Sequence, residues 1–244
     1  MREEIRKKVR EIVDTKFQVE NVTYVPNIDD KKLTFGNKGL QFDATVLFID
    51  LRGSTKLLNK HNKSTVAKIH MAYYHTIIKI AKSLSGEIRS FNGDSLLVFF
   101  EGTTKQSLSR AVKAAMQMKY MLSNQDGIRK LVEKYTTIDF GIGIHDDTIM
   151  CTKVGVVGDS NTKDLFWISN AVNKSTRLSD KAKSPNNIYI SSFVYTNLTD
   201  EVKFTTKKNW QGVDEKINMW TKSWFEYDGK QEYCYYTSYH WTVL

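Results

Sequence analysis

Apolar side chains recur at helical spacing at Ile5, Val9, Ile12, Val13 and Phe17, which predicts an amphipathic helix over 2–18. A polar, turn-rich stretch over 27–39 predicts a loop with room for one hairpin. The run Thr45-Val46-Leu47-Phe48-Ile49 has the length of a buried strand, placed at 44–49, and ends in Asp50-Leu51-Arg52-Gly53-Ser54-Thr55. A helix opens there. Val66, Ile69, Tyr73, Ile77 and Ile80 carry it toward a stop at Leu84-Ser85-Gly86. Strands at 87–91 and 95–100, the latter holding Leu96-Leu97-Val98-Phe99-Phe100, flank Asn92-Gly93-Asp94, and Asn-Gly is a strong hairpin signal.

Ala111, Ala114, Ala115, Met118 and Met121 predict a helix over 104–124. A second pair of strands is expected at 138–145 and 148–157, joined by Asp146-Asp147. A loop at 158–163 leads to a strand at 165–168, then a helix over 170–182, a strand at 188–190 and a short helix at 193–198. The tail holds Trp210, Trp220, Trp224 and Trp241, and 232–243 reads as a closing strand. This order predicts an α+β, ferredoxin-like fold with helices packed on a mainly antiparallel sheet. No Pro-, Gly- or Ser-rich linker and no repeat interrupts it, so one domain is expected.

With 41% apolar and 26% charged residues, the chain is neither disordered, collagenous nor a disulfide mini-protein. Cys151 and Cys234 have no ligand-like spacing, so neither a disulfide framework nor a zinc site is expected, and a reducing cytoplasm suits them. No apolar run nears the roughly 18–20 residues that cross a bilayer, and no membrane partner is expected. The charged stretch 1–10 lacks the apolar core of a signal peptide. Thirty-six basic against 27 acidic residues give +9, which suits a polyanion, either nucleic acid or a nucleoside triphosphate.

Two aspartates stand where strands end, Asp50 after the first buried strand and Asp94 at the hairpin tip. Each alone reads equally as a turn residue. If their strands are neighbours, the carboxylates converge, and with a backbone carbonyl they form an oxygen site for Mg²⁺. Arg52-Gly53-Ser54-Thr55 runs into a helix N-terminus, where free amides suit a triphosphate and where Ser54 or Thr55 equally suits a cap. Asn173 and Arg177, four apart, share one helix face, as solvated surface or as a site. A metal pair beside a phosphate cradle reads as phosphoryl transfer.

Phe48-Ile49-Asp50-Leu51-Arg52-Gly53-Ser54-Thr55 resembles the first metal motif of class III nucleotidyl cyclases, and Gly86-Glu87-Ile88-Arg89-Ser90-Phe91-Asn92-Gly93-Asp94 the second. Gly141-Ile142-Gly143-Ile144-His145 resembles the following strand, and the segment from Asp164 to Leu178 the transition-state segment. Four ordered motifs make the resemblance specific. It implies a catalytic domain over 41–244, with a Trp-rich C-terminal segment, behind a helix-and-loop extension over 1–40. It also implies a homodimer with two composite sites and two ions, Mg²⁺ or Mn²⁺, in each. Asp50, the Leu51 carbonyl and Asp94 would hold the ions. Asn173 and Arg177 would come from the other subunit, Asn173 orienting the ribose and Arg177 neutralising charge on the phosphoryl oxygens. Lys153 is a candidate facing the phosphates, and Lys207 or Lys208 for the terminal ones.

Two base-reading positions depart from the purine cyclases. Ser90 stands where adenylate cyclases carry Lys and guanylate cyclases Glu, and Phe166 stands where adenylate cyclases carry Asp or Thr. Phe166 makes no hydrogen bond, and its bulk suits the volume a pyrimidine leaves empty. The combination resembles the pyrimidine cyclases of Pycsar anti-phage defence, which implies UTP or CTP as substrate, UTP favoured, and an effector that senses the cyclic nucleotide. Strand alternation predicts that Arg89 points to the face opposite Ser90. An adenylate or guanylate cyclase with an atypical base pocket is one competing reading, and a degenerate or unselective cyclase is another, disfavoured by the intact metal and transition-state residues. A nucleic-acid-binding sheet is a third. It leaves Asp50 and Asp94 unexplained, so no nucleic-acid partner is expected.

Overall fold

In the computed structural model, which describes residues 1–156, 159 and 161–243, the chain winds around a nine-stranded sheet. The expected loop at 158–163 and the end of the expected strand at Val157 lie partly outside the described residues. In chain order the first half is α1 (Arg2–Asp14), β1 (Gln18–Asn21), β2 (Lys38–Arg52), α2 (Ser54–Lys60), α3 (Lys63–Ser83), β3 (Gly86–Asn92), β4 (Ser95–Glu101), α4 (Lys105–Ser123) and α5 (Arg129–Val132). The second half is β5 (Asp139–Val154), β6 (Asp164–Ile168), α6 (Asn170–Lys181), β7 (Ile188–Ser191), α7 (Ser192–Thr196), α8 (Asp200–Lys203), β8 (Phe204–Lys208), β9 (Asp214–Asn218), β10 (Thr221–Tyr227) and β11 (Lys230–Thr237).

The sheet runs β10-β11-β7-β5-β2-β4-β3, with β1 beside β2 and β6 beside β5. It is antiparallel except where β1 meets β2 and β7 meets β5. Strand alternation sorts the core into two faces. Leu47, Ile49 and Leu51 of β2, Leu96, Val98 and Phe100 of β4, and Phe140, Ile142 and Ile144 of β5 face α3 and α4. Phe42, Ala44 and Val46, with Phe99, Ile149 and Cys151, face the other way and are covered by Val25 and Leu33 and by Ala171 of α6. Phe99, Phe100 and Phe140 are fully buried, each contributing about 1.5–3 kcal/mol by leaving water.

Three expectations need correction. The strand pair at 138–145 and 148–157 is one strand, β5, paired with β2 from Arg52↔Asp139 to Gly39↔Thr152. Asp146-Asp147 is no turn, because β2 supplies a partner along the whole length and Thr45 Oγ1 donates to Asp146 Oδ2 at 2.7 Å. The single helix expected after Asp50 is two, since Asn62 opens α3 by accepting from the Thr65 amide. The closing strand is Lys230–Thr237 and stops short of Val243.

α6 lies directly on the face opposite α3 and α4. A Cβ built at Gly143 would overlap Ser175 O, and one at Gly141 would overlap Ser179 O. Glycine at both positions lets the helix backbone touch the sheet. Leu178 and Ser179 turn inward there, while Asn173 and Arg177 turn outward.

Candidate active site

β2 and β4 bring two carboxylates to one end of the sheet. Asp50 is in register with Ser95, and Asp94 immediately precedes Ser95 in a turn where Gly93 has φ 63°. Burial, then the charge of Asp94, pushes the Asp50 carboxyl up to about 6, and Arg52 opposes the rise. Two carboxylates with main-chain oxygens alongside are a hard, all-oxygen donor set that suits Mg²⁺ or Mn²⁺. The Leu51 side chain is sealed in the core. No cluster of three or more acidic, His or Cys side chains able to hold a metal occurs among the described residues.

Arg52 is committed inside the chain. Its Nη1 donates to Asp50 Oδ2 at 2.7 Å, and its Nη2 donates to Ser179 O at the end of α6. Gly141, the register partner of Asp50, leaves the slot that the guanidinium fills. Gly53 follows with φ 76° and opens α2, which has no side-chain cap. Ser54 and Thr55 therefore cap nothing, and Thr55 is exposed.

Asn173 and Arg177 sit elsewhere. They line a cleft of about 830 Å³ with Asn170, Thr176 and the β10–β11 turn from Glu226 to Gly229, a lining that includes neither Asp50 nor Asp94. The Arg177 side chain is 68% exposed, with only a 3.9 Å approach to Asp180. β10 and β11 brace α6 from this side. Lys174 Nζ reaches both carboxylate oxygens of Glu232 at 2.6 and 2.7 Å, and Tyr227 Oη donates to Asn170 Oδ1 at 3.0 Å. The sequence reading missed this turn, although Asp228-Gly229, with φ 50° and 68°, is a hairpin signal like Asn92-Gly93.

Ser90 borders an apolar cluster that Leu165 and Trp167 enter from β6, whereas Phe166, between those two residues, is turned by strand alternation to the other face. Ser90 pairs with Leu97, and Trp167, next to Phe166, packs on Phe99 at 4.6 Å between centroids. Phe166 itself is 56% exposed. A bulge between Ile88 and Ser90 breaks the alternation. Arg89 is thus not sent to the opposite face: it donates to the carbonyls of Pro26 and Val25, and Val25 belongs to the cluster on the Ser90 side. Lys153 lies over the Phe35 ring at 5.8 Å. Lys207 and Lys208 are on the exposed β8–β9 hairpin, apart from the cleft of Arg177.

Paired carboxylates at a sheet end, a glycine slot and an outward Asn–Arg helix face are parts that a phosphoryl-transfer site can use. The chain belongs to the family of the adenylate and guanylate cyclase catalytic domain, which matches residues 40–225, and is a class III nucleotidyl cyclase. It is 28% identical over 245 residues to a protein named Uridylate cyclase from Burkholderia cepacia, covering 99% of this chain and 98% of that one. To one named Cytidylate cyclase from Staphylococcus aureus it is 26% identical over 226 residues, covering 80% and 52%. The crystal structure of the guanylyl cyclase Cya2 shares the fold, with TM-score 0.65 at 18% identity over 82% of this chain and 93% of that one. No helix among the described residues is long and apolar enough to cross a membrane.

Proposed function

We propose that this cyclase converts UTP to 3′,5′-cyclic UMP and pyrophosphate as a homodimer with two composite sites. The observation that carries the composite site is the split of the machinery. Asp50 and Asp94 converge at the sheet end, whereas Asn173 and Arg177 open into a cleft that contains neither. A second copy is what joins an Asp50 end to an Arg177 face.

Asp50, the Leu51 carbonyl and Asp94 would hold divalent ions, which would neutralise charge on the triphosphate and ease ionisation of the ribose 3′-hydroxyl. Gly53, Ser54 and Thr55 line the phosphate side. Asn173 holds the ribose so that O3′ stands in line with the α-phosphorus. The O3′–P bond forms, the bond to the β-phosphate oxygen breaks, and the hydroxyl proton is released. Arg177 donates to the phosphoryl oxygens as their charge redistributes.

Ser90 and Phe166 support a pyrimidine base. The Ser90 hydroxyl donates to uracil O4 or accepts from the cytosine amine, so it serves either pyrimidine. The likeness to the Burkholderia protein favours uracil, and the likeness to the staphylococcal one is the case for CTP. The resemblance to Pycsar cyclases carries the wider reading, in which the product is a messenger for a cyclic-nucleotide-sensing effector in anti-phage defence. The test is incubation with equal ATP, GTP, CTP and UTP and Mg²⁺ or Mn²⁺, then product identification. Cyclic UMP is expected. Mainly cyclic AMP or GMP would overturn the pyrimidine reading, and mainly cyclic CMP only the choice of uracil.

A further inference from the structure

Arg52 joins two parts that the proposed dimer assigns to different sites. One end of its guanidinium holds Asp50 Oδ2, and the other holds Ser179 O in the last turn of α6. Asp50 serves the chain's own ion site. α6 carries Asn173 and Arg177, which in the composite reading serve the other site. Ser179 O also accepts from the Ala182 amide at 2.8 Å, and the partial negative charge of the helix C-terminus favours a cation between it and a carboxylate. The planar fork of arginine spans two such acceptors at fixed geometry, which the point charge of lysine does not.

The slot is built for this contact. A side chain at Gly141 would overlap both Arg52 Nη2 and Ser179 O, so the guanidinium rests on bare backbone. Ser179 is fully buried, and its hydroxyl donates to Gly141 O at 2.9 Å, fixing the carbonyl that Arg52 reads. The other braces on α6, Lys174 to Glu232, Tyr227 to Asn170 and Lys181 to the Trp224 carbonyl, lead to the β10–β11 hairpin. Arg52 is the brace that leads to the carboxylates.

We propose that Arg52 is a positioning residue that ties the Asp50 end of one site to the helix serving the other, and so couples the two sites of the dimer. The inference rests on the composite homodimer proposed above. Divalent cations held by Asp50 and Asp94 would compete with Arg52 for the Asp50 carboxylate, and a change in the Arg52 contact would reach α6 through Ser179. The other site then senses it as the placement of Arg177.

The experiment uses mixed dimers of two differently tagged full-length chains, the first carrying Arg177→Ala and the second Asp94→Ala. The mixed dimer keeps one live site, with Asp94 from the first chain and Arg177 from the second. Activity of this baseline establishes the composite site. An inactive baseline, with subunit exchange demonstrated, overturns the composite site and the coupling with it. Arg52→Met is then added to the second chain alone, whose own ion site is already dead. The expected result is a kcat about tenfold lower at an unchanged Mn²⁺ requirement, as a displaced Arg177 dictates. The same change in the first chain removes the cation that competes for the Asp50 carboxylate, so it is expected to lower the Mn²⁺ requirement and to tighten Mn²⁺ binding to the nucleotide-free dimer in a calorimetric titration. If Arg52→Met chains fail to fold, Arg52→Lys, which keeps the charge but not the fork, takes its place in the second chain with the same expected loss of kcat. An unchanged kcat with the second chain altered overturns the coupling while leaving the composite site standing.

Discussion

Tyr74 donates its phenolic hydrogen to the carbonyl of Gly93, the residue before Asp94. Its ring meets Phe91 edge-on at 5.5 Å between centroids, and the Tyr73 ring lies beside it at 5.5 Å. The Tyr73 hydroxyl is buried with no hydrogen-bond partner among the described residues, and burial, then the charge of Asp50, holds it well above the usual phenol range. α3 therefore clamps the hairpin tip that carries one of the two carboxylates.

Tyr74→Phe keeps the ring packing and removes the bond to Gly93. The turn should loosen, and the affinity of the nucleotide-free protein for Mn²⁺ should fall about tenfold, the lower end of what outer ligand supports contribute. Calorimetric titration of the protein with Mn²⁺ checks this. An unchanged isotherm would mean that packing on Phe91 alone holds the turn.

Asp50→Ala or Asp94→Ala should abolish turnover with the circular dichroism spectrum intact, because neither residue is in the core. A mixture of Asp94→Ala and Arg177→Ala chains, each inactive, should regain activity as subunits exchange. Substantial turnover by either aspartate variant would remove these residues from the ion site.

Much of this site was legible in the sequence, and the reasons are local. Asp50 follows a continuous apolar run and Asp94 follows an Asn-Gly turn, so both positions rest on short-range rules. The face shared by Asn173 and Arg177 follows from helical spacing alone. What stayed hidden depends on distant partners. Arg52 reads as a phosphate ligand until Ser179, 127 positions away, claims half of it. Asp146-Asp147 reads as a turn until Thr45 and the full length of β2 claim it as strand. The side chosen by Arg89 turns on one bulged residue, which no alternation pattern reveals.

Phe166→Thr should erode discrimination against ATP. The substitution removes the bulk of a half-exposed ring and adds a hydroxyl that can read a purine. Competition between equal UTP and ATP measures it, as the ratio of cyclic AMP to cyclic UMP. A ratio equal to that of the unmodified protein would show that Phe166 does not gate the base.

Asp146 gives a pH prediction. Burial raises its carboxyl to about 6 from an ordinary 3.8, with Asp43 and Asp147 adding and the bond from Thr45 opposing. Between those values the native state binds more protons than the unfolded one, so this residue makes stability fall as pH rises from about 4 to about 6. His145, lowered to about 4 mainly by burial, slopes the other way, so the test compares variant with parent. Asp146→Asn retains an acceptor for Thr45. It should stabilise the protein by about 1–3 kcal/mol at pH 7 and by almost nothing at pH 4. Denaturant midpoints at the two pH values decide it, and equal gains at both would rule out the buried charge as the cause.

The two cysteines amount to a pair of clocks already installed in the chain. Cys151 lies in the middle of the sheet under Val25 and Leu33, and Cys234 lies on β11, one strand from the edge. Burial lifts their thiols to about 12 and about 11, so a thiolate-seeking reagent meets neither until the protein opens. Each labelling rate then times a different event, the lifting of the N-terminal segment for one and the peeling of the C-terminal hairpin for the other. Mass spectrometry of the unsubstituted chain could follow both openings, with and without nucleotide.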